Sequence, residues 1–327
     1  MFFKSKFIIT PLLILISYIK SSYIIENTNM KSKKQENFNI NKNTKIIDII
    51  NNPIFWNFGR YIFPIHQHIS SSLTIENLSS IYTWYNYMNP NKTIEIINYF
   101  ISQIKSGFKI FYDIYTEEEK KLDPSKKETG LFFFRGNPNS KFAIVNAGGA
   151  FSYAGAMHDS FPQALEISKK GFNAFALIYR QGGQNACKDL AAAIRFIFKN
   201  QKELNVNTKC YSLWGGSAGA RMAAWVGSEN VNFGNEIYPK AGTIIMQYTG
   251  LSEVTGNEPP TYANCGTDDW IANYRVMNNR INKIKKNGTD AMMEIFNGLP
   301  HGFGLGQGTI AEGWINNAIN FWKKQMK

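Results

Sequence analysis

The sequence predicts an α/β protein with a mostly parallel sheet covered by helices on both faces. From residue 142 onward, short and continuous apolar runs alternate with helical patterns, as in strands that are buried on both faces. The chain has 327 residues, of which 44% are hydrophobic, so it is long enough to bury such a core. A serine flanked by glycines, Ser217, stands between one apolar run and the next helical one.

The first segment, residues 1–22, has the pattern of a signal peptide or a membrane anchor. Lys4 and Lys6 precede the apolar stretch Phe7–Ile19, whose thirteen residues match a signal-peptide core and are short for a membrane span. Cleavage after Ser21 or Ser22 and an uncleaved anchor are both compatible with it. We therefore expect an exported protein, secreted or held at a membrane surface through its N-terminus.

Two further segments precede the predicted sheet. Residues 23–50 are polar and rich in Asn and Lys, so we expect a flexible linker. Residues 51–107 form an N-terminal extension that begins with the aromatic run Asn52–Pro64. Apolar spacing predicts helices over Leu73–Met88 and Thr93–Ile104, which could lie against the main domain or form a lid.

Residues 108–327 form the predicted main domain. Phe108–Tyr115 and Gly130–Phe134 look like a pair of hairpin strands joined by a charged loop. Alternation of strands and helices then begins. The further strands are predicted at Phe142–Asn146, Ala174–Tyr179, Cys210–Trp214, Ala241–Gln247, Tyr262–Cys265 and Met292–Phe296. The helices are predicted at Ser160–Lys170, Cys187–Lys199, Ala218–Val226, Tyr274–Lys286 and Glu312–Lys324.

The charge and cysteine content exclude several classes of function. The formal net charge is +12, but the lysines are scattered and do not interleave with aromatics as in a nucleic-acid site. The three cysteines, Cys187, Cys210 and Cys265, have no disulfide or metal spacing, and two of them fall in predicted buried strands. We therefore expect no nucleic-acid partner, no metal and no cofactor.

Ser217 is the candidate nucleophile. It lies at the centre of Gly215-Gly216-Ser217-Ala218-Gly219, after a strand and before a helix. A sharp turn of this kind exposes a serine hydroxyl, and the glycines let the backbone pass closely beneath it. The same residues would also suit a plain turn that closes a β-α unit, so the partners of the serine decide the interpretation.

A candidate acid and a candidate base follow Ser217 along the chain, in the order Ser217, Asp269, His301. His301 comes after the strand Met292–Phe296 in a glycine-rich loop, and Asp269 comes just after the strand Tyr262–Cys265. Because functional groups gather beyond the carboxyl ends of parallel strands, these side chains are expected near Ser217. Asp268 is an alternative acid, and Glu253 is a weaker one.

The remaining candidates surround this set. The backbone N–H groups of Gly148 and Gly149, after the strand Phe142–Asn146, could bind an oxyanion together with that of Ala218. His158 and Arg221 are weaker candidates for contact with a substrate, and His158 is a second choice of base.

Taken together, these motifs resemble the α/β-hydrolase superfamily, and within it the esterase/lipase group related to acetyl esterases and hormone-sensitive lipase. The resemblance runs from about Phe108 to the C-terminus and depends on six motifs in order. They are Ala147-Gly-Gly-Ala-Phe151, Tyr179-Arg180, Asp189 with Ala191–Ile194, Gly-Gly-Ser217-Ala-Gly, Gly266-x-x-Asp269 and His301-Gly-Phe-Gly. The group usually has three glycines in the first motif, preceded by His or Pro, whereas this chain has Ala147 and Ala150.

The resemblance implies an α/β-hydrolase fold with an eight-stranded sheet, one strand of which is antiparallel. It also implies hydrolysis of carboxylic esters without a cofactor, by a triad of Ser217, His301 and Asp269, with oxyanion donors at Gly148, Gly149 and Ala218. We expect a short acyl group, such as acetyl, on a small-molecule or carbohydrate ester. A peptidase of the same fold and a catalytically silent surface binding module are the alternatives.

Overall fold

A single eight-stranded sheet forms the centre of the protein. The computed structural model describes residues 38–326, and the residues from Asn41 onward form one unit. The strands are β1 (Phe111–Tyr112), β2 (Gly130–Phe134), β3 (Ser140–Asn146), β4 (Asn173–Ile178), β5 (Val206–Gly216), β8 (Thr243–Gln247), β9 (Thr261–Gly266) and β10 (Ala291–Phe296). A separate hairpin contains β6 (Val231–Phe233) and β7 (Glu236–Tyr238).

The strand order is β1-β2-β4-β3-β5-β8-β9-β10. Strand β2 pairs antiparallel with both of its neighbours, and all other pairs are parallel. Strands β2, β4, β8 and β9 are buried along their whole length, which explains why they read as continuous apolar runs. The prediction of a mostly parallel eight-stranded sheet with one antiparallel strand is confirmed.

Helices cover both faces of this sheet. They are α1 (Ile46–Ile50), α2 (Pro90–Lys105), α3 (Glu117–Leu122), α4 (Ala156–Asp159), α5 (Phe161–Lys169), α6 (Gly183–Lys199), α7 (Gln201–Leu204), α8 (Ala218–Gly227), α9 (Tyr274–Lys286) and α10 (Trp314–Lys324). The crossover from β3 to β4 runs in the opposite direction to those from β4 to β5 and from β5 to β8. Right-handed crossovers therefore place α5 on one face and α6 and α8 on the other.

The aromatic residues of the N-terminal extension pack against the antiparallel end of the sheet. The Phe58 ring stacks on Phe111 at 5.3 Å between centroids, and Phe100 of α2 stacks on Phe132 of β2 at 5.3 Å. Phe161 at the start of α5 meets the same Phe132 ring edge-on at 4.8 Å. Because large aromatic rings dominate the burial energy of a core, this cluster anchors the extension to the sheet.

The structure differs from three predictions about the N-terminal half. The predicted helix Leu73–Met88 is irregular apart from one 3₁₀ turn, Leu78–Ile81, and some of its backbone N–H groups donate to distant carbonyls, as Glu76 does to Lys42 and Asn86 to Gly302. The predicted linker, residues 23–50, contains helix α1, whose Ile46 and Ile49 are fully buried. The predicted strand Phe108–Tyr115 is shortened to two residues, although its pairing with β2 is antiparallel as expected.

The predicted leader lies outside the described residues. Between residues 38 and 326, no helix combines the length and the apolar character that crossing a membrane requires.

Candidate active site

Ser217 occupies a strained turn between β5 and α8. Its backbone has φ 51° and ψ −117°, a conformation that residues with a side chain rarely adopt. The glycines around it explain how the turn is possible, because a Cβ on Gly219 would lie 2.1 Å from the Asn146 carbonyl oxygen. The Ser217 N–H donates to the Gln247 carbonyl of β8 at 3.0 Å. The hydroxyl is thereby held at the carboxyl edge of the sheet.

The structure brings Ser217, His301 and Asp269 into one chain of contacts. The Nε2 atom of His301 lies 3.1 Å from Ser217 Oγ, and its Nδ1 atom lies 2.8 Å from Asp269 Oδ2. Both the histidine and the aspartate are buried, whereas the serine is partly exposed. When Nδ1 donates its proton to Asp269, Nε2 is left as an acceptor for the serine hydroxyl.

The Asp269 carboxylate is fixed by its own loop. Its Oδ1 atom accepts the backbone N–H groups of Ile271 at 2.9 Å and Ala272 at 2.7 Å, which leaves Oδ2 for His301. The two alternative acids lie elsewhere. Asp268 is exposed and accepts the Thr267 hydroxyl, and Glu253 is exposed. Asp269 is therefore the carboxylate that contacts the histidine.

The His301 loop is held from outside the main domain by Asn86. The Asn86 side chain donates to the His301 carbonyl at 2.8 Å, and its backbone N–H donates to the Gly302 carbonyl at 2.9 Å. The Tyr248 ring meets the imidazole edge-on at 5.0 Å. Sequence reasoning missed both residues. Tyr248 directly follows β8 and was open to the same strand-end argument, but nothing local marks Asn86.

The predicted oxyanion donors differ in their surroundings. Ala218 is the first residue of α8, so its N–H has no acceptor within the helix. The Gly149 N–H donates to no acceptor in the described part of the chain. The Gly148 N–H, in contrast, donates to Asp159 Oδ2 at 2.8 Å. It is therefore not available to an oxyanion in this structure, contrary to the prediction. The neighbouring Ala150 N–H, which was not predicted, has no acceptor between residues 38 and 326.

The two weaker candidates for substrate contact, His158 and Arg221, differ in their exposure to solvent. His158 is buried, its Nε2 atom lies 2.9 Å from the Gly302 carbonyl, and burial lowers its pKa to about 4. It contacts the His301 loop, and its contact with a substrate stays a prediction. Arg221 is exposed on α8, one turn beyond Ser217, with Nε 3.4 Å from the Thr249 hydroxyl. It remains accessible to a substrate.

The cysteines and possible metal ligands lie apart from this chemistry. Between residues 38 and 326, no group of three or more His, Cys, Asp or Glu side chains is placed to hold a metal ion. All three cysteines are free thiols, and burial raises the pKa of Cys187 to about 11. A thiol that is protonated at neutral pH is a poor nucleophile, so Cys187 does not compete with Ser217 as the candidate nucleophile.

Comparisons with known proteins agree with this fold. The model of the family BD-FAE, an α/β-hydrolase-type family, matches residues 135–275. The propionate-bound esterase 2 from Thermogutta terrifontis is 20% identical, with a TM-score of 0.52, over 60% of this chain and 89% of that chain. No curated protein matches the sequence.

Two further solved structures are similar. An acetyl ester-xyloside bifunctional hydrolase from Caldicellulosiruptor lactoaceticus is 21% identical, with a TM-score of 0.58, over 65% of this chain and 95% of that chain. A sugar hydrolase from Lactococcus lactis is 19% identical, with a TM-score of 0.53, over 60% of this chain and 94% of that chain. The chain therefore has the α/β-hydrolase fold, and the resemblance that its motifs predicted is confirmed.

Proposed function

We propose that the protein is a serine hydrolase that cleaves carboxylic esters through an acyl-enzyme. The observation that carries the proposal is the unbroken series of contacts from Ser217 Oγ to His301 Nε2 at 3.1 Å and from His301 Nδ1 to Asp269 at 2.8 Å. A serine hydroxyl reacts only when a base takes its proton, and a buried carboxylate stabilises the imidazolium that results. The order Ser217, Asp269, His301 along the chain agrees with that of other α/β-hydrolases.

In the first half of the reaction, His301 Nε2 takes the hydroxyl proton while Ser217 Oγ attacks the ester carbonyl carbon. The carbonyl oxygen becomes an oxyanion, for which the N–H groups of Ala218 and Gly149 are unoccupied donors. Removal of one such donor typically costs about two to three powers of ten in rate. The C–O bond to the alcohol then breaks, and the alcohol leaves with the proton that His301 carries.

In the second half, water replaces the alcohol. His301 takes a proton from the water molecule, whose oxygen attacks the acyl carbon of the Ser217 ester. Collapse of the second oxyanion breaks the bond between the acyl carbon and Oγ, and His301 returns the proton to the serine. The acid leaves, and the free enzyme is restored without any cofactor.

The substrate that we propose carries a short acyl group, such as acetyl, on a carbohydrate or another small alcohol. Support comes from the resemblance to acetyl esterases and from two of the similar structures, which are described as a propionate-bound esterase and an acetyl ester-xyloside hydrolase. The exposed Arg221 near the serine offers a polar contact for such a substrate.

A panel of nitrophenyl esters with increasing acyl length, run on the wild type and on Ser217→Ala in parallel, tests this proposal. We expect the highest kcat/KM with acetyl or propionyl esters and no activity above background in Ser217→Ala. Activity on aminoacyl amides in place of esters would favour a peptidase of the same fold. If a fluorophosphonate probe failed to label the wild type, a silent binding module would be favoured. If the probe labelled Ser217→Ala as well as the wild type, Ser217 would not be the nucleophile and the proposal would be wrong.

We also propose that the protein is exported, because Lys4 and Lys6 precede the apolar stretch Phe7–Ile19. Fractionation of cells that express the full chain or a chain lacking residues 1–22 tests this. The full chain should appear in the medium or the membrane fraction, and equal retention of both chains inside the cell would contradict the proposal.

A further inference from the structure

Asp159 is a buried carboxylate next to Ser217 that the proposed reaction does not use. It lies at the end of α4, is 1% exposed, and its Oδ2 atom accepts the Gly148 N–H at 2.8 Å. Its Oδ1 atom accepts the Tyr248 hydroxyl. A buried carboxylate is costly unless its oxygens are bonded, so both contacts are expected to matter.

The carboxylate occupies the space beside the residue that precedes Ser217. A Cβ on Gly216 would lie 2.3 Å from Asp159 Oδ2 and 2.5 Å from Oδ1. These distances are close to the separation between Cβ and the carboxylate oxygens within any aspartate. Gly216 is not among the residues with positive φ, so its backbone would accept a side chain. A glycine is needed there because Asp159 fills the volume of a side chain at position 216.

Through these contacts Asp159 joins three parts of the site. It accepts a hydrogen bond from the loop that carries Gly148 and Gly149, and it lies against Gly216 in the turn at Ser217. It also accepts the hydroxyl of Tyr248, whose ring contacts His301. Burial raises the pKa of Asp159 to about 6, and the bonds from Tyr248 and Gly148 and the nearby His301 oppose that rise.

The other ionisable groups that face Asp159 are tyrosines and a neutral histidine. Tyr85, from the N-terminal extension, has a buried hydroxyl that lies by the same carboxylate, and burial raises its pKa well above the ordinary value. The adjacent His158 is kept neutral by burial. Hydrogen bonds from the Tyr248 hydroxyl and the Gly148 N–H are the direct contacts of its oxygens.

We propose that Asp159 is a positioning residue of the ester hydrolysis proposed above, holding the glycine loop and Tyr248 in register with Ser217 and His301. The role depends on its hydrogen bonds and not on direct contact with the substrate. Misplacement of catalytic groups by about 1 Å can cost about 100-fold in rate, so the effect of losing these bonds should fall on kcat.

Three variants test this: Asp159→Ala, Asp159→Asn and Tyr248→Phe. We expect Asp159→Ala to lower kcat on a nitrophenyl ester by roughly 10- to 100-fold, with KM changed less than about threefold. Tyr248→Phe should show a smaller loss of kcat. Asp159→Asn should retain most of kcat, because its oxygen accepts the Gly148 N–H and its amide donates to the Tyr248 oxygen.

Glu258→Ala is the matched control, since Glu258 is a buried carboxylate that accepts N–H groups from Thr255 at 2.6 Å and Gly256 at 2.9 Å before β9. That control should lower the melting temperature and leave the kcat of the folded enzyme unchanged.

Unchanged kcat in Asp159→Ala, or a loss of kcat in Glu258→Ala as large as in Asp159→Ala, would overturn the positioning role. These outcomes leave the proposed function intact as long as the wild type hydrolyses esters and Ser217→Ala does not. A wild type that hydrolyses no ester would overturn both proposals.

Discussion

At the residue scale, the site depends on which of two adjacent carboxylates faces inward. Asp268 and Asp269 are equivalent in the sequence pattern, but only Asp269 is buried and contacts His301, at 2.8 Å. The two N–H bonds that Asp269 accepts from Ile271 and Ala272 set its direction. Which of the two aspartates faces His301 depends on the conformation of the turn after β9, and two identical residue types in the sequence do not show it.

We predict that Asp269→Asn and Asp268→Asn have very different effects. An amide at position 269 favours the wrong imidazole tautomer, so kcat should fall by about 10⁴-fold, as in other serine triads. Asp268→Asn should stay within about twofold of the wild type, because its side chain is exposed and touches only Thr267. Steady-state kinetics on one nitrophenyl ester distinguishes them, and a larger loss in Asp268→Asn would contradict the arrangement.

The buried Asp159 also predicts a dependence of stability on pH. Its pKa is raised from an ordinary value of 3.8 to about 6, mainly by burial, so the folded protein binds this proton more tightly than the unfolded chain does. The stability that this group contributes is complete below about pH 4 and is lost as the pH rises through 6. The free energy of unfolding of Asp159→Asn, relative to the wild type, should therefore rise by about 2 to 3 kcal/mol between pH 4 and pH 7.

Urea unfolding of both proteins at the two pH values measures this difference. His158 titrates in both proteins, so its contribution cancels in the comparison. A difference between the two proteins that stays constant with pH would show that Asp159 has an ordinary pKa in the folded state.

At the scale of elements, the strands and helices with a local sequence signal are the ones that the sequence predicts, and so are the site residues that follow those strands. The strands of the eight-stranded sheet from β2 onward and helices α5, α6, α8, α9 and α10 were predicted within about four residues, because their apolar runs and periodicity are local signals. The β6–β7 hairpin was not predicted. Ser217, His301 and Asp269 were found because each directly follows a strand of one sheet. The Gly148 bond was not predicted, because it depends on the short helix α4, which has no sequence signal of its own.

The close approach of α8 to β3 predicts a strong effect of Gly219→Ala. A Cβ there would lie 2.1 Å from the Asn146 carbonyl oxygen and 2.6 Å from that of Ala147. The helix must shift, at a cost of about 1 to 3 kcal/mol, and Ser217 shifts with it. We expect a lower melting temperature and a lower kcat together.

Gly183→Ala is the matched control for this substitution. Gly183 is the first residue of α6, and a Cβ there would be 3.4 Å from the Phe151 ring, an ordinary contact. Stability and kcat should be unchanged or slightly improved, since alanine favours a helix over glycine. Equal losses in both variants would mean that the contact of Gly219 with β3 is not responsible.

At the scale of the whole molecule, the N-terminal extension is part of the site. The sequence left open whether residues 51–107 lie against the main domain or cover it. The structure shows an aromatic anchor at the β1–β2 edge and a second contact at the His301 loop, made by Asn86. Packing of the aromatic run Asn52–Pro64 on the main domain was expected from its composition. The partners in both contacts were not predictable, because each contact joins segments that are distant along the chain and carry no shared pattern.

We predict that Asn86→Ala lowers kcat more than it lowers stability. The substitution removes the bond to the His301 carbonyl and keeps the backbone bond to Gly302, so the loop loosens and stays folded. A fall in kcat of about tenfold would fit the cost of a small displacement of the base. Asn91→Ala, at an exposed position in α2, is the control and should match the wild type in both kcat and melting temperature.

The contact between Asn86 and His301 spans 215 positions of the chain. Ser217 lies 84 positions before His301, and Asp269 lies 32 before it, so His301 is the last of these four residues to be synthesised and contacts the other three. Contacts between remote segments form late, because the loop between them must close first. A growing chain therefore carries the serine for 84 positions, and the acid for 32, before the base is made. The contacts that the proposed reaction needs can form only after His301 has been synthesised and the loops to Asn86, Ser217 and Asp269 have closed.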